Sequence, residues 1–226
     1  HPTMRIGDQL AEVIHRHRKI SYREAYRQAV VSLAEVQIRE PELVARKYPF
    51  ELSGGMRQRV VIALAMSSPP ELLIADEPTT ALDVTIQHEI LKLMRELAVR
   101  RGTSVMLITH DLGVVSQVCQ RVVVMYAGEV VETGTTEEVL RHPRHPYTRA
   151  LIGALPDLAE PGQPLLAIPG ETPDLRRRPP GCPFAPRCSR ALPVCFEDHP
   201  LLELAADESI THYVSCWGGK PDETTA

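Results

Sequence analysis

One stretch constrains this chain more than any other: Leu52-Ser53-Gly54-Gly55-Met56-Arg57-Gln58-Arg59. A serine and two glycines stand directly before an apolar run, Val60 to Met66, of helical character. Serine is a favoured N-cap, because its hydroxyl accepts one of the N–H groups that a first helical turn leaves unpaired. Two glycines leave the backbone bare, so an anion can approach it closely. The helix start adds aligned donors and a partial positive charge. The stretch predicts a phosphate-binding helix start that has no lysine of its own. The plainer alternative is a loop followed by a helix.

The next stretch, Glu71 to Pro78, is a short apolar run that ends in Asp76 and Glu77. It reads as a buried parallel strand with the acids at its C-terminal end. That is the end at which open α/β sheets bind ligands. Thr80 to Asp83 reads as a turn. Asp83 then starts a long helix with Ile86, Ile90, Leu93, Met94 and Leu97 on one face and Gly102 as its C-cap. A second strand, Ser104 to Thr109, ends at His110-Asp111. Strand, helix and strand make the βαβ unit of a parallel sheet. On the plain alternative the two acids cap a strand, His110 is structural and Asp83 is only an N-cap.

LSGGMRQR, LLIADEP, TALD and a strand ending in histidine, in this order, resemble the ABC ATPase family: its signature motif, Walker B, D-loop and switch histidine. The resemblance covers about residues 1 to 150 and implies an α/β fold, a partial P-loop ABC ATPase domain with a helical subdomain. It implies ATP and Mg as cofactors. Asp76 would hold the Mg, Glu77 would polarise the attacking water, and His110 would contact the γ-phosphate. Ser53, Gly54, Gly55 and Gln58 would bind ATP held on an opposite subunit, and Asp83 would couple the two subunits. A phosphate loop without lysine makes sense if the lysine comes from another chain, which predicts a composite site and a dimer. The loop G-x-x-x-x-G-K-[ST] is absent here. In the family it lies upstream, followed by a glutamine-bearing loop. The chain is therefore expected to be the C-terminal portion of a longer ATPase, inactive alone.

Residues 1 to 50 read as helices. Ile6 to Arg18 carries Leu10, Val13 and Ile14 on one face, with Asp8 as N-cap. Ser21 to Glu24 fits a capping box, and Pro41 opens a short helix to about Lys47. Arg16, Arg18 and Lys19 read as a solvated face. Val122 to Tyr126 and Glu129 to Thr133 flank Ala127-Gly128, which predicts a hairpin at the sheet edge. The expected division is 1–52 for the helical subdomain, 53–141 for the signature helix and catalytic core, and 142–226 for an extension.

That extension holds His145 to Leu151 and Gly181 to Cys188, which resemble the C-terminal region of oligopeptide and dipeptide (nickel) importer ATPases. It also holds Cys182, Cys188, Cys195 and Cys216, spaced C-x5-C-x6-C-x20-C. Cys119 stands apart in an apolar setting and reads as a core residue. Four thiolates suit iron–sulfur or zinc. The spacing lacks the C-x2-C pair of zinc ribbons. The importer resemblance implies a [4Fe-4S] cluster, with zinc or no metal as the alternatives.

A net charge of −4 over 226 residues gives no electrostatic argument for a nucleic-acid partner. No apolar run reaches the length of a membrane span. The resemblance thus implies the ATP-hydrolysing subunit of an importer for di- or oligopeptides or a related small solute, peripheral on the cytoplasmic face of the membrane. Its implied partners are a second ATPase subunit (the same chain or another), two membrane permeases and, indirectly, an extracytoplasmic solute-binding protein. The alternatives are a soluble ABC ATPase of nucleic-acid metabolism and a non-catalytic fragment.

Overall fold

The computed structural model describes residues 1–80, 82–155, 167–205 and 209–219. It divides into two compact units, His1–His110 and Asp111–Ala226. The sequence places the start of the extension later, at 142.

In the first unit, helices α1 (Ile6–Arg18), α2 (Tyr22–Glu35) and α3 (Pro41–Ala45) bury their apolar stripes against one another. Leu10, Ala25, Ala29 and Leu33 are wholly excluded from water. Alanines at the contact let the helix backbones approach closely, and the larger side chains fill the gaps between ridges. α1 spans the expected residues, but Asp8 is not its N-cap. Arg5 takes that position without a side-chain cap, and Asp8 accepts a hydrogen bond from the Tyr22 hydroxyl at 3.0 Å. Ser21 caps α2 as its sequence suggests, accepting from the Glu24 N–H at 3.3 Å. α3 ends two residues before the expected Lys47. The basic group at the end of α1 is not only a solvated face, because Arg18 donates to the Ser67 carbonyl at 3.0 Å and to Gln28 at 2.9 Å.

α4 (Gly54–Met66), β1 (Leu72–Asp76), α5 (Val84–Arg101) and β2 (Ser104–Ile108) follow. β1 and β2 pair in parallel from Leu72↔Ser104 to Asp76↔Ile108, with α5 as the crossover. The expectation of a fully buried strand does not hold. Leu73, Ala75 and Leu107 face the helical core, whereas Ile74 is 60% and Met106 52% exposed. Successive side chains of a strand point to opposite faces, and the described residues cover only one face of this pair.

The second unit begins with α6 (Leu112–Val118) and the hairpin β3 (Arg121–Tyr126) and β4 (Glu129–Thr135). Its turn residues Ala127 and Gly128 have φ of 51° and 83°, the left-handed pair that a two-residue hairpin turn needs. α7 (Thr136–Arg141) starts on a capping box made by Thr135 and Glu138. α8 (Pro146–Gly153) and α9 (Val194–Glu197) follow, then the short strands β5 (Glu203–Leu204) and β6 (Tyr213–Val214). The hairpin does not edge the parallel pair. It belongs to a separate antiparallel sheet in the order β3-β4-β6-β5, where β6 pairs with β4 through Thr133↔Tyr213. Residues past 142 therefore complete the sheet that the hairpin starts. Val122, Val124, Tyr126, Val131, Val139 and Phe184 form its core. Residues 143–186 read from the sequence as Pro-rich and poor in periodicity, and of these 156–166 lie outside the described residues.

Candidate functional site

The signature stretch forms the expected helix start. Ser53 is the N-cap of α4, and its hydroxyl accepts the Met56 N–H at 3.3 Å. The two glycines have a second reason that the sequence reading missed. A Cβ on Gly55 would stand 2.9 Å from Ile86 Cγ2, and one on Gly54 would stand 3.3 Å from Leu82 Cδ2. Both neighbours flank Asp83, so the bare backbone of α4 packs against the segment that opens α5. Asp83 caps that helix, accepting the Ile86 N–H at 2.9 Å. Gln58 is half-buried on α4. Its neighbour Arg59 is used inside the unit, donating to Glu89 and to the Val36 carbonyl, both at 3.0 Å.

The carboxylates stand at the C-terminal end of β1. Asp76 is its last residue and lies opposite Ile108. The Glu77 N–H donates to the Ile108 carbonyl at 2.9 Å, one further ladder bond past the strand. There the chain turns sharply: Glu77 has φ of 43°, a left-handed backbone that side chains disfavour. Two adjacent residues that would have faced opposite sides of a strand thus both lie at its end. Glu77 Oε1 is 3.1 Å from His110 Nδ1, just past β2, and Oε2 accepts from the Thr80 hydroxyl at 2.9 Å. His110, and then Thr80, hold the Glu77 carboxyl below the ordinary carboxylate range. Both Glu77 and His110 remain open to solvent. A carboxylate fixed at two points beside a second carboxylate can orient a polar reactant at the strand end. Asp111, next to His110, is spent as the N-cap of α6, accepting from the Gly113 and Val114 N–H groups.

The second locus lies in the second unit. Cys182, Cys188, Cys195 and Cys216 line one cavity of about 380 Å³, together with Arg144, His145 and Trp217. None of the four is joined in a disulfide. The Arg190 N–H points at Cys188 Sγ and the Leu192 N–H at Cys195 Sγ, each at 3.4 Å. The Cys182 N–H donates to the Cys195 carbonyl at 2.8 Å. This approach needs a glycine beside it, since a Cβ on Gly181 would fall 2.2 Å from the same oxygen. Burial pushes the Cys182 thiol up and pulls His145 down to about 4. Among the described residues, no three His, Cys, Asp or Glu side chains are gathered closely enough to ligate a single metal ion. Cys119 is half-buried and packs against the core, as its setting suggests.

One buried group escaped the sequence reading. Glu132 is wholly buried and accepts the Arg144 N–H at 2.7 Å and the His145 N–H at 3.0 Å, with His212 Nε2 at 2.8 Å. It ties β4 to Arg144 and His145, which line the cysteine cavity, and to His212. A charged residue in the Val-Val-Glu-Thr stretch of β4 was the available signal, since buried charge demands partners.

Two family models match segments of the chain. A family model described as ABC transporter matches residues 2–80, which hold the signature stretch, Asp76 and Glu77. A model described as Oligopeptide/dipeptide transporter, C-terminal region, matches residues 131–195, which hold three of the four clustered cysteines. The oligopeptide transport ATP-binding protein OppD of Bacillus subtilis is 52% identical over 222 residues, 98% of this chain and 61% of the relative. The dipeptide transport ATP-binding protein DppD of the same organism is 49% identical over 96% of this chain and 64% of its own length. The chain thus spans about three-fifths of the length of these curated relatives. A dimeric bacterial ABC transporter cassette, MJ0796, superposes with a TM-score of 0.52 at 30% identity, over 60% of this chain and 58% of that one. A post-hydrolysis form of the same cassette, bound to ADP and Pi, fits equally well. Among the described residues no helix is long and apolar enough to cross a membrane. The chain thus matches the ABC transporter model over residues 2–80 and the oligopeptide/dipeptide transporter C-terminal region over 131–195, and along nearly its whole length it is similar to ATP-binding proteins of oligopeptide and dipeptide transporters.

Proposed function

We propose that this chain is the greater part of the ATP-hydrolysing subunit of an importer for di- or oligopeptides or a related small solute. One observation carries the reading. Glu77 and His110 meet at the C-terminal ends of two adjacent parallel strands, directly after Asp76. Asp76 would hold Mg, which when bound bridges the phosphates and neutralises their charge. Glu77, kept ionised by its two partners, would take a hydrogen bond from the attacking water. His110, open to solvent on its far side, would contact the γ-phosphate.

Ser53, Gly54, Gly55 and Gln58 would engage ATP held by a second ATPase subunit, with Asp83 coupling the pair. The helix start supplies N–H donors but no lysine, so the lysine that anchors the triphosphate would come from elsewhere. A two-subunit site supplies it. The relatives are transport proteins by name, and nothing in them supports the nucleic-acid alternative. On this reading the protein sits peripherally on the cytoplasmic face of the membrane, against two permeases fed by a solute-binding protein.

The four cysteines would hold a [4Fe-4S] cluster. They line one cavity, and zinc is the alternative occupant. Backbone N–H groups aimed at two of the sulfurs suit a thiolate-ligated cluster.

The test of the main reading is Glu77→Gln in the full-length protein. Turnover should vanish while ATP is retained and a dimer accumulates. Undiminished steady-state hydrolysis would remove Glu77 from its role.

A further inference from the structure

The Glu77 carboxylate is held at both oxygens, and of its two partners only His110 is given a contact with ATP in the reading above. The other partner is Thr80, whose hydroxyl donates to Oε2 at 2.9 Å. An ionised carboxylate only accepts hydrogen bonds, so the Thr80 proton points at Glu77. The backbone does a separate job, since the Thr80 N–H donates to the Glu77 carbonyl at 3.2 Å and closes the turn. Glu77 leaves its strand in a left-handed conformation and its side chain reaches into solvent. An exposed glutamate has several freely turning bonds, and a single contact to His110 would leave the carboxylate able to pivot about that contact.

We propose that Thr80 is a positioning residue for Glu77: its hydroxyl fixes Oε2 and so sets the plane in which Oε1 faces His110. The proposal rests on the ATPase reading. Thr80 touches neither nucleotide nor water in this role and acts through Glu77. The side-chain and backbone bonds are separable by substitution. Valine keeps the shape and branching of threonine and the backbone bond, but removes the hydroxyl. Serine keeps the hydroxyl.

The experiment compares the full-length protein with its Thr80→Val and Thr80→Ser variants. A misoriented carboxylate affects the chemical step and leaves nucleotide binding alone. Thr80→Val should therefore lower kcat about tenfold or more with KM for ATP unchanged, and Thr80→Ser should restore most of the rate. A kcat for Thr80→Val within about twofold of the parent would overturn the proposal, as would serine failing as badly as valine. Crystal structures of parent and Thr80→Val provide a readout independent of turnover. A Glu77 carboxylate displaced in the variant supports the positioning role, and one left in place overturns it. A parent protein that hydrolyses no ATP would sink the ATPase reading, and the crystal structures would still decide the role of Thr80.

Discussion

Gly55 and Ile86 are packed so closely that one methyl group would not fit between them: a Cβ on Gly55 would lie 2.9 Å from Ile86 Cγ2. The methyl belongs to a β-branched side chain on the first turn of α5 and has little freedom to retreat. Gly55→Ala would raise helix propensity by about 1 kcal/mol. Overpacking costs about 1–3 kcal/mol and should win. The variant is expected to be less stable in urea denaturation. Gly153→Ala is the control, because nothing stands within 4 Å of its Cβ position. That change should be neutral or stabilising. A Gly55→Ala midpoint above that of the parent would show that Ile86 moves aside.

Helix ends and tight turns were legible from sequence because their chemistry is local. Ser53, Asp83 and Gly102 each act on a backbone group a few residues away, and each caps the helix it was expected to cap or close. The left-handed pair at Ala127-Gly128 is equally local. Pairings between distant residues leave no such pattern. Nothing in Tyr213-Val214 announces that it will pair with β4, and Glu132 finds His212 across 80 residues of chain. The exposed face of β1 was misread for a related reason. An apolar run states that a strand can be covered on both faces, and other segments decide whether it is. At the candidate site the sequence marked Glu77 and His110 separately. Their 3.1 Å contact and the Thr80 hydrogen bond required the parallel register of β1 and β2 and the turn at Glu77.

The chain as it stands should bind ATP very weakly and hydrolyse none. It carries the Ser53 helix start, Glu77 and His110, but no Gly-x-x-x-x-Gly-Lys-Ser/Thr loop. Such a loop wraps the phosphates in backbone N–H groups and adds a lysine charge, the main source of phosphate affinity in these folds. Calorimetric titration of this chain with ATP and Mg measures the outcome directly. Micromolar affinity would mean that the phosphates are bound by a device that the sequence reading overlooked.

Acid should loosen the second unit through Glu138. Its carboxyl is held down to about 2, first by the Ser209 hydroxyl and next by the Thr135 N–H, with Thr211 adding a further donor. The ordinary value is 4.5. A depressed carboxylate contributes stability that is fully present above the unfolded value and disappears as pH falls through the folded one. The window is therefore from about 4.5 down to about 2. Ser209→Ala should be less stable than the parent at neutral pH and lose less on acidification across that window. Below it the two should converge. Parallel acid-denaturation curves, with a constant gap at every pH, would show that Ser209 contributes by packing alone.

The four-cysteine cavity should carry a metal centre that orders the segment around it. Between residues 167 and 219 the described elements are one helix of four residues, two strands of two and short 3-10 turns. With so little regular hydrogen bonding, the segment should need a further constraint besides the packing of buried residues such as Phe184, Cys195, His212 and Val214. Thiolates drawn to a cluster supply that constraint, since binding energy of a centre that the unfolded chain lacks becomes folding energy. Trp217 borders the cavity and donates to the Asp198 carbonyl at 2.9 Å, so its fluorescence reports on whether the walls stay together. Anaerobic purification followed by iron, sulfide and zinc analysis should find iron and sulfide in stoichiometric amounts. Replacing Cys182, Cys188, Cys195 and Cys216 with serine should abolish both, shift the Trp217 emission to the red, and make residues 167–219 more sensitive to protease. Zinc without sulfide would replace the cluster with a single-ion site. Absence of both metals, together with unchanged protease resistance of the serine variant, would mean that packing against Phe184 is sufficient and that the cavity holds no centre.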